Sequence, residues 1–172
     1  MLKGKRVAIL VEDLYQELEL WYPYYRLLEE GAEVILVGPE AKTYKSKGGY
    51  PAKAQAAAQE VSVDDLDGVI IPGGYAPDRL RRYPAILELV RGVFGKGGLV
   101  AAICHAAWVP ISAGIMKGKR ATCVSAIKDD LMNAGATYIN EAVVVDGNLV
   151  TSRTPDDLPA FLPALIQVLE QI

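Results

Sequence analysis

Histidine occurs once in this chain, at His105, and cysteine twice, at Cys104 and Cys123. So few cysteines make no disulfide framework, and a reducing compartment, the cytoplasm, is the expected home. A zinc site would need Cys104, His105 and Cys123 plus a carboxylate, at spacings unlike any common zinc pattern, so no metal is expected. Long apolar runs are missing too. The first run, Val7–Val11, meets Glu12 and Asp13 at once, which is not the shape of a secretory signal, and no run approaches a membrane span. There is no basic stripe. Lys42, Lys45 and Lys47 form a mild local cluster in a chain of net charge −3, so neither nucleic acid nor an anionic membrane is an expected partner. The absence of Gly-x-Gly-x-x-Gly and of a phosphate-cradling Gly-Lys-Ser/Thr disfavours nucleotide binding. Repeats, low-complexity tracts and linkers do not occur.

What is present is an ordinary globular composition, 51% hydrophobic and 23% charged. Residues 1–172 suit one domain with one substantial core. Short apolar runs alternate with amphipathic stretches. Strands are expected at Arg6–Val11, Glu33–Gly38, Gly68–Ile71, Leu99–Ile103, Ala142–Asp146 and Leu149–Thr151, with Asp146-Gly147-Asn148 as a hairpin turn. Helices are expected at Glu17–Gly31, Pro84–Lys96, about Ala106 to Ala113, and near Ile127–Ala134. A last helix opens at Thr154, with Thr154 as N-cap, Pro155 in the first turn and Asp157 as the capping carboxylate. Pro51–Val61 reads either as a helix, from its alanines, or as a hairpin, from its flanks. Strands that are apolar throughout, separated by helices, indicate a parallel sheet covered on both faces. Ligands bind such sheets beyond the carboxyl ends of the strands, which directs attention to the loops after Val11, Ile71 and Ile103.

Ala102-Ile103-Cys104-His105-Ala106 carries the strongest chemical signal. It has the form small–x–nucleophile–x–small between a strand and a helix, the pattern of a nucleophile elbow with Cys in place of Ser. A helix start beneath the sulfur would lower the thiol pKa and favour thiolate. The plainer alternative is that Cys104 is a small buried hydrophobe. His105 adjoins it and is a candidate base; on a regular strand the two side chains would point apart, on an elbow they meet. Ile71-Pro72-Gly73-Gly74 ends a buried strand, where Gly74 can supply an N–H to an oxyanion or simply make a turn. The loop after Val11 holds Glu12, Asp13, Glu17 and Glu19; one of them can serve the cysteine as a proton carrier, and composition does not say which. Cys123 reads as core. Trp21, Tyr22, Tyr24 and Tyr25, around Pro23, read as core or as a subunit contact.

Taken together these segments resemble the ThiJ/PfpI superfamily, PfpI type, over nearly the whole chain. The resemblance rests on Glu19-Leu20-Trp21-Tyr22-Pro23, on Asp67 through Gly74, on Ala76-Pro77-Asp78 and on Ile103-Cys104-His105. It continues through Ile111–Gly114, Lys128-Asp129-Asp130, Asn133–Ala136 and Val143–Arg153. It implies an α/β flavodoxin-like three-layer sandwich with a mostly parallel sheet, related to class I glutamine amidotransferases. It implies Cys104 as nucleophile and redox-sensitive thiol, Glu19 as the carboxyl that hydrogen-bonds it, and Gly74 and His105 as backbone N–H donors. Asp78 falls where some members place an acid, usually Glu, that reaches the His of a neighbouring subunit. Self-association is therefore implied, as a homodimer or larger, up to a hexamer. The implied activity acts on reactive dicarbonyls (methylglyoxal, glyoxal) or their protein adducts as a glyoxalase or deglycase in stress protection, and needs no cofactor. An intracellular cysteine peptidase and a non-catalytic redox sensor or chaperone are the alternatives. Two departures bear on substrate preference. Ala106-Ala107-Trp108 replaces the usual Gly-Pro after Cys-His, and Val124 stands where some members have Tyr.

Overall fold

Buried Val, Ile, Leu and Ala fill four runs of the chain, and an apolar strand of that kind is stable only when both its faces are covered. The computed structural model, which describes all 172 residues, bears this out. In chain order the elements begin with β1 (Arg6–Leu10), α1 (Glu17–Glu29), β2 (Glu33–Gly38), β3 (Thr43–Lys45), β4 (Pro51–Lys53) and β5 (Ala56–Ala57). They continue with β6 (Gly68–Ile71), α2 (Ala76–Leu80), α3 (Pro84–Gly95), β7 (Leu99–Ile103), α4 (Trp108–Ser112) and β8 (Arg120–Ala121). The last are α5 (Lys128–Asn133), β9 (Thr137–Tyr138), β10 (Val143–Asp146), β11 (Leu149–Ser152) and α6 (Leu158–Gln171).

The main sheet runs β10-β11-β7-β6-β1-β2-β5, parallel except for the β10–β11 hairpin. Helices α1 and α6 pack together against it, while α3 meets α4 beside β6 and β7. This is the flavodoxin-like α/β arrangement. Strands β1, β6 and β7 are adjacent, and every residue of β6 and β7 is buried. Each fully buried Val, Ile or Leu there contributes about 1.5–3 kcal/mol. The chain turns one way from β1 to β2 and the other way from β6 to β7, so the carboxyl ends of these strands flank a switch point, where open α/β sheets hold ligands.

Several local expectations are refined. Pro51–Val61 takes the hairpin reading at its start: β4 pairs antiparallel with β3, and Ala58–Glu60 forms a single 3-10 turn. The helix expected from Ala106 begins as a 3-10 turn, Cys104–Ala107, before the short α4. Thr154 makes no side-chain cap; Pro155–Asp157 is a 3-10 turn ahead of α6. The Asp157 carboxylate accepts instead from the backbone N–H of Arg153 and from its guanidinium, a charge-assisted pair that a threonine hydroxyl does not match. The aromatic cluster divides between core and surface: Trp21 and Tyr24 pack against the core from its edge. Tyr22 and Tyr25 are exposed, and Trp21 is tied down by donating from Nε1 to the Tyr15 hydroxyl at 3.1 Å. No helix is long and apolar enough to cross a membrane.

Candidate active site

The three loops singled out from the sequence meet at two glycines. A Cβ on Gly74 would stand 2.5 Å from the Leu14 carbonyl and 2.7 Å from the Gln16 nitrogen. Gly74 has φ +80, which side chains rarely adopt. A Cβ on Gly73 would stand 2.5 Å from Glu19 Oε1 and 2.9 Å from Cys104 Cβ. Gly73 is thus the spacer that lets α1 and the end of β7 close on the end of β6. Any side chain there would drive Glu19 and Cys104 apart.

Cys104 follows β7 as the first residue of the 3-10 turn, with φ +63, one of only two non-glycine residues of positive φ in the chain. That left-handed conformation costs about 1–2 kcal/mol at a residue with a Cβ. It turns the side chain out of the sheet and toward His105, whose Nδ1 lies 3.5 Å from Sγ. The adjacent pair that a strand would separate is brought together. His105 is half-buried, its ring edge toward Trp108 with centroids 5.3 Å apart. Burial pulls its pKa down, with Lys47 pulling the same way, so the ring is neutral near pH 7.

Glu19 is completely buried. Its Oε1 accepts from the Gly73 N–H at 2.9 Å, and its Oε2 has no partner. Helix α1 buries Glu19, Leu20, Pro23 and Leu27, so this carboxyl occupies the apolar stripe i, i+4, i+8. Burial raises its pKa to about 8 against the Gly73 hydrogen bond and the Lys47 charge pulling the other way, leaving it protonated near neutrality. No hydrogen bond joins Glu19 to Sγ; the carboxyl reaches the sulfur's neighbourhood by way of Gly73. The other three acids of the loop are spent elsewhere. Glu12 accepts from the Asp13 N–H, Asp13 from the Lys45 N–H, and Glu17 from Ser46 and the Gly48 N–H.

The expected low thiol pKa is not what this environment produces. Burial, and next Glu19 once it ionises, push Cys104 up to about 12, while the N–H groups of His105 and Gly74 pull the other way. The turn beneath the sulfur is a single 3-10 turn leading into a five-residue helix, too short to supply much dipole. The resting sulfur is therefore a thiol.

These groups line a cavity of about 180 Å³ formed by Gln16, Glu19, Lys47, Gly74, Tyr75, Cys104, His105 and Pro155. Sequence reasoning assigns no site role to Gln16, Lys47, Tyr75 or Pro155. Asp78 does not join the site within one protomer. It sits in the first turn of α2, half exposed, with Oδ2 2.6 Å from Nη2 of Arg82. Cys123 is fully buried, and Val124 donates its N–H to the Cys104 carbonyl at 3.4 Å. Ala106 and Ala107 are buried, and Trp108 donates to Asp130 at 2.9 Å. No three His, Cys, Asp or Glu side chains converge as metal ligands.

Comparison with known proteins agrees with this geometry. A deglycase of Pyrococcus abyssi is 41% identical over 165 residues, covering 96% of this chain and 99% of its own. A Bacillus subtilis protein named as a candidate cysteine protease is 40% identical over 159 residues, 92% of this chain and 94% of its own. Among solved structures, a two-domain Anabaena variabilis protein with DJ-1/ThiJ/PfpI-like and ferritin-like domains superposes with a TM-score of 0.95 at 42% identity. That match covers 97% of this chain but only 48% of the other, so the chain spans about half of that protein. The DJ-1/PfpI family model matches residues 5–168, and the chain belongs to the DJ-1/PfpI family.

Proposed function

We propose that the chain is a cysteine-dependent deglycase of the PfpI type, acting on 1,2-dicarbonyls such as methylglyoxal or on their adducts with amines and thiols. One observation carries the reading: Cys104 sits in a strained turn facing a small cavity, with a neutral imidazole nitrogen 3.5 Å from its sulfur. As Sγ adds to the aldehyde carbon, Nδ1 of His105 accepts the thiol proton and returns it to the new oxyanion, giving a hemithioacetal. The N–H groups of Gly74 and His105 are the donors for that oxyanion. Transfer of hydrogen from the aldehyde carbon to the neighbouring carbonyl carbon oxidises the first and reduces the second, leaving a thioester. Water then releases the thiol and a 2-hydroxy acid, lactate from methylglyoxal. From an amine adduct the amine is released as well. The protonated Glu19 carboxyl can give its proton to the neighbouring carbonyl oxygen as hydrogen reaches that carbon, and take one back from the hemithioacetal hydroxyl as the thioester carbonyl forms. Water supplies the only added atoms.

The Pyrococcus relative's name supports this reading. The peptidase alternative has the Bacillus name on its side. Against it, no carboxylate orients His105 within the protomer, and about 180 Å³ is small beside the roughly 300–1,000 Å³ of typical ligand clefts. A cytoplasmic role in stress protection, with residues 1–172 working as one domain, belongs to the same proposal.

The test is release of lactate from methylglyoxal-modified N-acetyl-lysine and from free methylglyoxal. Cys104→Ala should lose activity by about a thousandfold or more. Equal turnover by the variant sinks the enzyme reading, and oxidation of Cys104 without turnover points to the redox sensor. The assembly also has a test. If Asp78 orients His105 across a subunit boundary, mixing Cys104→Ser with Asp78→Ala chains should restore activity, because a mixed pair holds one complete site. No recovery despite demonstrated subunit exchange leaves Asp78 as the partner of Arg82 alone.

A further inference from the structure

One charge in the cavity has no part in the chemistry above. Near neutral pH, burial keeps the Cys104 thiol and the Glu19 carboxyl protonated and the His105 ring neutral. Gln16, Gly74, Tyr75 and Pro155 carry no charge. The ammonium of Lys47 is then the one full charge among the lining residues.

Lys47 is placed by its backbone. Its N–H donates to the Tyr15 carbonyl at 2.9 Å, and Tyr15 bridges to both Ser46 and Gly74. The root of the side chain is thereby fixed to the same Gly74 turn that flanks Cys104. Its Nζ lies 5.3 Å from the centre of the Tyr75 ring, another lining residue, and makes no ion pair with any carboxylate. The loop's other acid–base contacts go elsewhere: Lys42 pairs with Glu40 at 3.1 Å, and Glu17 is taken by Ser46 and Gly48. A cation resting on an aromatic face at a cavity wall, with no carboxylate in direct contact and the Glu17 charge acting on it only from a distance, can receive an anion from solution. The N–H groups of Gly74 and His105, which favour an anion at the sulfur, face the same space.

We propose that Lys47 is the carboxylate anchor of this cavity, which binds small 2-hydroxy acids and 2-oxo acids of the same size. The inference rests on the deglycase reading, whose product is a 2-hydroxy acid formed at Sγ. A carboxylate leaving the sulfur meets Lys47 at the cavity wall, so the product competes with incoming carbonyl compounds. Carbonyl acids such as glyoxylate are favoured over uncharged carbonyls of equal size.

The experiment uses glycolate as probe, since it is anionic and has no aldehyde to react, and glycolamide as its neutral counterpart. Protection of Cys104 from iodoacetamide is measured as the ratio of labelling rates with and without probe, separately in each variant. That removes any change in intrinsic thiol reactivity. Glycolate should protect the wild-type chain and glycolamide should not. Lys47→Met should weaken glycolate protection by about tenfold or more, the worth of one charge-assisted contact, and Lys47→Arg should retain most of it. Equal protection by glycolamide, or protection unchanged in Lys47→Met, overturns the anchor. Methylglyoxal turnover, assayed on the same wild-type preparation, reports separately on the reading beneath it. Turnover with no glycolate protection sinks the anchor alone, and Lys47-dependent protection without turnover supports the anchor while removing the deglycase.

Discussion

Cys104 and Cys123 lie side by side, joined through the hydrogen bond from Val124 N–H to the Cys104 carbonyl, and burial pushes both thiols up to about 12. Acidity therefore does not separate them. Cys104 occupies a left-handed turn, is half-buried, opens on a cavity and has an imidazole beside it. Cys123 has ordinary backbone and no exposed surface. Access and backbone strain, rather than thiolate character, distinguish the sulfur that can react from the one that packs.

The largest expected contrast is in alkylation. Labelling Cys123 in the native state requires opening the core, at a cost approaching the global stability of about 5–15 kcal/mol. Its rate should fall below that of Cys104 by about a thousandfold or more, and the two should equalise in denaturant. The Cys104 rate should still be climbing between pH 8 and 10, where an ordinary thiol of pKa about 8.5 levels off. Peptide mapping after iodoacetamide checks both statements. A plateau below pH 8.5 would show that the sulfur is a thiolate and overturn the raised pKa. Cys123→Ala should lose about 1 kcal/mol of stability and keep its turnover within a few-fold.

Glu19 is the second largest cause of the raised Cys104 pKa and is absent from the causes acting on Cys123, so its removal acts on one cysteine only. Its own raised pKa has a sign that can be measured. Below pH 4.5 the carboxyl is protonated in both folded and unfolded chains, and its stabilising contribution is complete. Between 4.5 and about 8 the unfolded chain ionises while the folded chain holds its proton, so stability falls as pH rises through that window. Glu19→Gln keeps the shape without the ionisation. Its stability relative to wild type should therefore improve by a few kcal/mol between pH 5 and pH 8, read from urea midpoints at the two values. A difference independent of pH would show that Glu19 is ionised in the folded protein.

Much of the fold was legible because a parallel sheet needs continuous apolar runs, and β1, β6 and β7 are such runs closed by Glu12, by Pro72-Gly73-Gly74 and by Cys104. The turn at Cys104 was legible from its small neighbours. The choice among Glu12, Asp13, Glu17 and Glu19 was not available from composition, since acids at a helix start are usually solvated. The resemblance pointed to Glu19. A physical signal also existed: a carboxyl at the head of the buried stripe Glu19-Pro23-Leu27 has to be neutral or bonded. Lys47 left no trace in a polar loop, because what places it is the pairing of Tyr15 with Ser46 and Gly74, contacts between segments distant in sequence. A motif gives the turn but not the depth at which the sulfur is buried, and that depth pushes the thiol pKa up rather than down.

The smallest effect separates the two cysteines by sign alone. Replacing a side chain by glycine widens the choices of the unfolded backbone and costs about 0.5–1 kcal/mol relative to alanine where the native φ is negative. Cys123 has such a φ. At Cys104, φ +63 penalises alanine as much as cysteine and leaves glycine unstrained, so the relief of about 1–2 kcal/mol outweighs the entropy. Cys104→Gly should therefore be more stable than Cys104→Ala by several tenths of a kcal/mol up to about 1 kcal/mol. Cys123→Gly should be less stable than Cys123→Ala by a similar amount or more, since the core also loses a methyl group. Comparing alanine with glycine at each site cancels the loss of the sulfur, which is common to both. Thermal or urea unfolding of the four variants gives the two differences. If they share a sign, the turn at Cys104 stores no strain, and the side chain faces its cavity by packing alone.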